Sequence, residues 1–155
     1  MKMLVCVDGS EQSQKALEKA ALIAAGPHIN EVTAIHIFEG KMDPSSSAIA
    51  WGGEGYAITE ADIEHFKERY EMEKKKGDII LQEAKRFLTE KNIEAKTILE
   101  DGHPSHKIIE VAQENDFDII VVGSRGLGGF KKLLLGSVSN AIAQEAKNCC
   151  VLIVK

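Results

Sequence analysis

The sequence predicts an α/β protein with an open parallel sheet and helices packed on both faces. Two observations carry this. Short β-branched, apolar runs alternate along the chain with segments of helical spacing. The clearest runs are apolar without interruption, as strands covered on both faces are, and parallel strands of that kind need right-handed helical crossovers.

Met3 to Val7 is the first such run, and it ends at Asp8-Gly9-Ser10. Ser10 is placed to cap a helix in which Ala16, Leu17, Ala20, Ile23 and Ala24 recur at helical spacing, until Gly26-Pro27 stops the pattern. Val32 to Phe38 is the second strand. Residues 40–59 differ in kind, with Pro44, Ser45-Ser46-Ser47, Gly52, Gly53 and Gly55. A flexible loop insertion is expected there, with Trp51 either anchoring it on the surface or closing over a ligand. Ile63, Phe66, Tyr70, Ile80, Leu81, Ala84, Phe87 and Leu88 then mark one stripe of a long helix. Gly77 falls on the same stripe and either permits close packing or weakens the helix. The charge run Glu71 to Lys76 reads as a solvated face.

Glu94 to Glu100 is the third strand candidate. Asp101-Gly102 turns the chain, and Pro104 suits the first position of a helix continued by Ile108, Ile109 and Ala112. Asp118 to Val122 is the purest strand, a further helix starts near Ser137, and Val151 to Val154 is the fifth strand. No internal boundary or repeat appears, so one domain over residues 1–155 is expected.

Composition narrows the function classes. The 155 residues carry 19 Lys and Arg against 24 Asp and Glu, a formal net charge of −5. That balance argues against holding nucleic acid by bulk charge. No apolar run approaches the roughly 18 residues of a membrane span. The short apolar stretch before Asp8 leaves no room for a secretory signal, and a cytoplasmic location is expected. Cys6, Cys149 and Cys150 form neither a disulfide framework nor a zinc pattern. They read as small buried hydrophobes in strands, with a redox role for the adjacent pair as the alternative.

The chemistry lies in Gly123-Ser124-Arg125-Gly126-Leu127-Gly128-Gly129, followed after six residues by Gly136-Ser137. This stretch follows a buried strand and opens a helix. Backbone without Cβ lets N–H groups approach an anion, and the helix start adds unpaired donors and a positive dipole end. The hydroxyls of Ser137 and Ser139 add two more donors. The alternative is a mobile glycine loop with Ser137 as a helix cap. The stretch is neither a Walker A loop nor a dinucleotide fingerprint, because the spacings of both are absent.

The spacing Gly123-x2-Gly126-x9-Gly136-Ser137 is similar to the nucleotide-binding signature of the universal stress protein family, in its ATP-binding branch. Leu4 to Ser10 resembles that family's first strand and acidic turn, Ile35-His36-Ile37 the end of its second strand, Gly102-His103-Pro104 the turn into its third helix, and Val151 to Lys155 its last strand. The resemblance implies a five-stranded parallel sheet in the order 3-2-1-4-5, Rossmann-like and of the adenine nucleotide alpha hydrolase kind. It also implies ATP at the gap between strands one and four, with Mg²⁺ or Mn²⁺ held mainly by the phosphates.

Carried over by position, Cys6, Val7 and Asp8 line the nucleoside side, Ile37 meets adenine and Val122 flanks the base or ribose. Gly123, Ser124, Arg125, Gly126, Gly128 and Gly129 wrap ribose and phosphates, while Gly136, Ser137, Val138 and Ser139 hold phosphate oxygens. The chain departs from the family at Cys6, and at Asn148-Cys149-Cys150 where a proline is common.

Asp8 is expected to serve the nucleoside or a phosphate-bound metal. Arg125 either forks onto phosphate or points to solvent. Lys131 and Lys132 lend positive potential or form a solvated face. His36 reads as a satisfied core or edge histidine, and His103 and His106 as capping or solvent-exposed residues. No catalytic residue and no protein-held metal are assigned. The leading expectation is an ATP-binding regulatory protein of the stress response that acts on an unknown downstream partner. It forms a homodimer through the edge strand 151–154, as the resemblance implies, without nucleic acid or membrane. The alternatives are a slow ATPase or phosphotransferase, and a ligand-free dimeric interaction module.

Overall fold

A computed structural model describes residues 1–40, 59–127 and 135–155. Five strands run β1 (Lys2–Cys6), β2 (Glu31–Phe38), β3 (Ala95–Asp101), β4 (Ile119–Gly123) and β5 (Cys150–Val154). The helices described are α1 (Glu11–Ala24), α2 (Glu60–Glu90), α3 (Pro104–Glu114) and α4 (Ser137–Glu145). All strand pairs are parallel, in the order β3-β2-β1-β4-β5.

Two apolar layers sandwich the sheet. On one face, Met3 and Val5 of β1 and Val7 just beyond it pack with Ala16, Leu17 and Ala20 of α1 and Leu81, Ala84 and Leu88 of α2. On the other, Leu4, Cys6 and Ile35 pack with Ile108, Val111 and Ala112 of α3 and Ile142 of α4. Alternate residues of β1 therefore serve opposite layers, which is why its apolar run is unbroken.

Local signals set the helix ends. Ser10 caps α1, its side chain accepting from the Ser13 amide at 3.1 Å. Thr59 and Asp62 form a reciprocal capping box at the start of α2. Pro104 occupies the first turn of α3.

Three expectations need correction. Ile23 is 40% exposed and falls outside the buried stripe of α1, which runs through Ala20 and Ala21 to the partly buried Ala24. Ile63 is 45% exposed: along α2, Phe66 and Tyr70 are half-buried, the latter against Phe38 of β2, and full burial begins only at Gly77. At Gly77, for which close packing is one of the two expectations, a Cβ would lie 2.6 Å from Leu99 Cδ1 and 2.7 Å from His36 Cδ2, so the glycine permits close packing, and the helix runs unbroken through it. Of the three cysteines only Cys6 is buried; Cys149 is half-buried and Cys150 exposed, because the last strand lies at a sheet edge. Of the loop expected over residues 40–59, Trp51 and all positions from 41 to 58 lie outside the described residues.

Candidate functional site

The order of strands reverses between β1 and β4: from β1 the chain crosses to β2 on one side, and β4 and β5 lie on the other. A crevice opens at the carboxyl ends of strands at such a point. A cavity of about 440 Å³ lies there. One wall is apolar, made by Cys6, Ile35 and Ile37 from β1 and β2, Val122 from β4, and Pro104 and Ile108 from α3. The polar part of the lining comes from Asp8, Gly123, Arg125, Gly126, Gly136 and Ser137, with Gly126 against Asp8 and Gly136 against the Arg125 main chain, and Leu127, Leu135 and Val138 line the cavity from the same segments.

Asp8 is held by a knot of local bonds. Gly9 takes a φ of +79°, a left-handed turn that brings the chain round to α1. The Ser10 amide then donates to Asp8 Oδ1 at 2.9 Å, and the Asp8 amide donates to Ser13 Oγ at 3.3 Å. Ser13 Oγ donates in turn to the Ser10 carbonyl at 2.9 Å. The second carboxylate oxygen, Oδ2, lies directly against Gly126.

The helix α4 begins beside it. Its N-cap is Gly136, which supplies no side-chain bond to the first turn, so the amides there are not capped from within. The Gly136 amide donates to the Ser124 carbonyl at 2.7 Å, tying the start of α4 to the end of β4. An uncapped helix start facing a cavity can accept an anion, by its orphan N–H groups and the positive end of its dipole.

The expected site residues mostly converge here. Cys6, Val7, Asp8, Ile37, Val122, Gly123, Arg125, Gly126, Gly136, Ser137, Val138 and Ser139 all line this cavity. Ser124 does not: it is 1% exposed, and its hydroxyl finds no partner among the described residues. Ser124 follows the last residue of β4, and its carbonyl accepts from the Gly136 amide and the Ser139 hydroxyl while its own side chain is buried. Ser139 is also corrected in part. It is buried, and its hydroxyl hydrogen is shared between the carbonyls of Ser124 at 3.0 Å and Gly136 at 3.1 Å. That hydrogen fastens the loop and is committed before any ligand arrives. Gly123 has a packing reason of its own, since a Cβ there would lie 2.7 Å from the carbonyl carbon of Gln12 in α1. Gly128, Gly129, Lys131 and Lys132 lie outside the described residues.

Ser13, Ile35, Pro104, Ile108, Leu127 and Leu135 line the cavity without having been expected. Ile35 was within reach of sequence reasoning, since it stands two residues before Ile37 on the same strand face. Ile108 was too, four residues after Pro104 on a helix.

Burial, with a smaller push from the Asp8 carboxylate, raises the Cys6 thiol well above its ordinary range. Cys6 is thus a neutral, apolar part of the wall. His103 and His106 are both exposed, their rings 4.7 Å apart, with His103 Nδ1 3.2 Å from Ser105 Oγ. Among the described residues, no group of three or more His, Cys, Asp or Glu side chains could hold a metal ion, and no helix is long and apolar enough to cross a membrane.

The sequence profile of the universal stress protein family matches residues 1–155. The chain belongs to that family. Universal stress protein YxiE of Bacillus subtilis is 39% identical over 155 residues, which covers 99% of this chain and 98% of that protein. Among solved structures, universal stress protein UspA from Lactobacillus plantarum superposes with a TM-score of 0.79 at 23% identity, covering 100% and 97% of the two chains. A universal stress protein in complex with cAMP gives 0.69 at 24%, covering 100% and 97%. The universal stress protein from Archaeoglobus fulgidus in complex with dAMP gives 0.64 at 23%, covering 100% and 98%. At these identities the solved structures share the Rossmann-like universal stress protein fold with this chain.

Proposed function

We propose that the chain binds ATP in the cavity between β1 and β4 and acts as a nucleotide-dependent regulatory protein of the stress response. The observation that carries this is the pairing of the two walls. An apolar slot bounded by Ile35, Ile37 and Ile108 suits a nucleobase, and it continues into a main-chain cradle at Gly126 and the uncapped start of α4, which suits phosphates. Two neighbours in fold are complexes with the adenine nucleotides cAMP and dAMP, which agrees with that reading.

The donor set also fits a divalent cation carried by the ligand. Arg125 is the cationic side chain among the described residues that line the cavity, and Asp8 presents a carboxylate on the same side. A triphosphate beside that carboxylate needs its charge offset. Mg²⁺ or Mn²⁺ on the phosphates supplies that neutralisation, and Asp8 is the residue placed to accept from the metal's water shell. Asp8 thereby favours the metal-bearing nucleotide, while Gly126 and the first-turn amides of α4 orient its phosphates.

Regulation requires that ATP bind two shapes of the protein unequally. A homodimer paired through β5 provides a surface on which such a difference would be read by a downstream partner. β5 is an edge strand whose Val151, Leu152 and Ile153 are only partly covered, and open edges invite pairing.

Isothermal titration calorimetry with ATP, with and without Mg²⁺, tests the proposal. Saturable binding that weakens without the metal is the expected result. Absence of binding at millimolar ATP overturns it, and steady phosphate release above a Gly126→Val control would shift the reading to a slow ATPase.

A further inference from the structure

We propose that His36 is a positioning residue for this cavity, its imidazole clamping the Val7–Asp8 peptide from the opposite side of the sheet. The proposal deepens the ATP reading above and rests on it for the meaning of the cavity.

Pairing of β1 with β2 ends at Cys6 and Ile35. One residue on, the Val7 amide still donates to the Ile35 carbonyl at 2.9 Å, while the Val7 carbonyl lies 2.7 Å from His36 Nδ1. A carbonyl can only accept, so Nδ1 carries the hydrogen and donates it. The N–H of that same peptide unit, the Asp8 amide, donates to Ser13 Oγ. Both polar ends of the Val7–Asp8 peptide plane are therefore held by side chains, one from β2 and one from α1. The orientation of that plane sets where the Asp8 Cα–Cβ bond points, and with it where the carboxylate lies against Gly126.

His36 does not touch the cavity. Ile35 and Ile37 turn toward the cavity, and His36 between them turns toward α2. It is 9% exposed there, a place where an aliphatic residue would pack without desolvating a polar ring. The room for an imidazole is made by Gly77: a Cβ at that position would lie 2.7 Å from His36 Cδ2 and 2.6 Å from Leu99 Cδ1. A polar ring, a helical glycine that admits it and a single carbonyl at its tip together form a device for aiming Asp8. The seating of α2 on the sheet is thus transmitted to the ligand side.

His36→Leu and His36→Asn separate positioning from filling. Leucine keeps most of the volume and no donor; asparagine keeps a side-chain N–H for the Val7 carbonyl and loses volume. We would measure ATP affinity by calorimetry, thermal midpoint, and exchange of the Asp8 amide hydrogen by NMR without ligand. Loss of one buried hydrogen bond predicts about tenfold weaker ATP binding and about tenfold faster Asp8 exchange in His36→Leu. His36→Asn is expected to stay near the parent on both counts while melting lower than His36→Leu. If affinity and exchange instead follow thermal stability, with leucine nearer the parent than asparagine, His36 is only filling and the proposal falls. Should the parent bind no ATP, the function proposed above is lost, and the exchange measurement still decides the role of His36.

Discussion

Asp8 and Gly126 face each other so closely that position 126 has no room for a side chain: a Cβ there would sit 2.5 Å from Asp8 Oδ2. The carboxylate is tethered through its other oxygen to the Ser10 amide, so it cannot simply swing aside. The glycine is required by its neighbour across the cavity and not by its own backbone dihedrals.

Gly126→Val should therefore displace Asp8 or push the loop into the cavity. At this exposed position the free protein can relax around the new side chain, but restoring the parental geometry around a ligand then costs about 1–3 kcal/mol, the size of an overpacking strain, which corresponds to about fivefold to 150-fold weaker ATP binding. Residue 126 is exposed and outside the two apolar layers, so the thermal midpoint should hardly move. Calorimetry and a melting curve on the same preparation check both halves; unchanged affinity would mean that this wall is not where the phosphates sit.

Gly77→Ala tests which of two opposed effects wins. Alanine is favoured over glycine inside a helix by about 1 kcal/mol. The added methyl meets Leu99 and His36 at distances that force one to shift, at a cost of about 1–3 kcal/mol. Net destabilisation is expected, lowering the thermal midpoint by about 2–4 °C. A rise in the midpoint would show that α2 lifts off the sheet without penalty.

Cys6 should make stability fall at alkaline pH. Its thiol is held neutral in the fold above the ordinary value of 9.0, whereas the unfolded chain releases that proton near 9.0. Below that pH both states hold the proton and nothing is lost. Above it the unfolded state binds fewer protons and is favoured, so stability declines as pH rises. Urea unfolding of the parent and of Cys6→Ala from about pH 8 to about pH 10 reads the difference. The variant should start less stable and decline less steeply, and parallel curves would contradict the assignment.

Leu152→Lys addresses assembly. A lysine in the middle of the partly covered edge strand β5 opposes strand pairing between copies. Sedimentation equilibrium should show a dimer for the parent and a monomer for the variant at micromolar concentration. A monomeric parent would remove the β5 interface from the proposal.

Much of this architecture was legible along the chain because its signals are local. Ser10 caps a helix, Pro104 opens one, and Gly136-Ser137 marks the start of α4, each through bonds that span only a few residues. Most of the residues that the family spacing names, from Cys6 to Ser139, line the cavity between β1 and β4. Ser124 follows the end of β4 and is buried away from the cavity lining, an orientation that loop composition does not specify. The buried stripes of α1 and α2 were overextended at Ile23 and Ile63, since periodicity says which face is apolar but not how far the sheet reaches beneath it.

What the sequence determined by itself is the alternation of strands and helices, the parallel α/β class and the glycine spacing that carries the family resemblance. Tertiary structure alone decided that His36 reaches the Val7 carbonyl, that Gly77 makes room for its ring, and that Gly126 stands against Asp8. These pairs lie 29, 41 and 118 residues apart in the chain. Periodicity and capping act over one or two turns of chain, whereas contacts at such separations exist only once the sheet order has brought β1, β2 and β4 side by side.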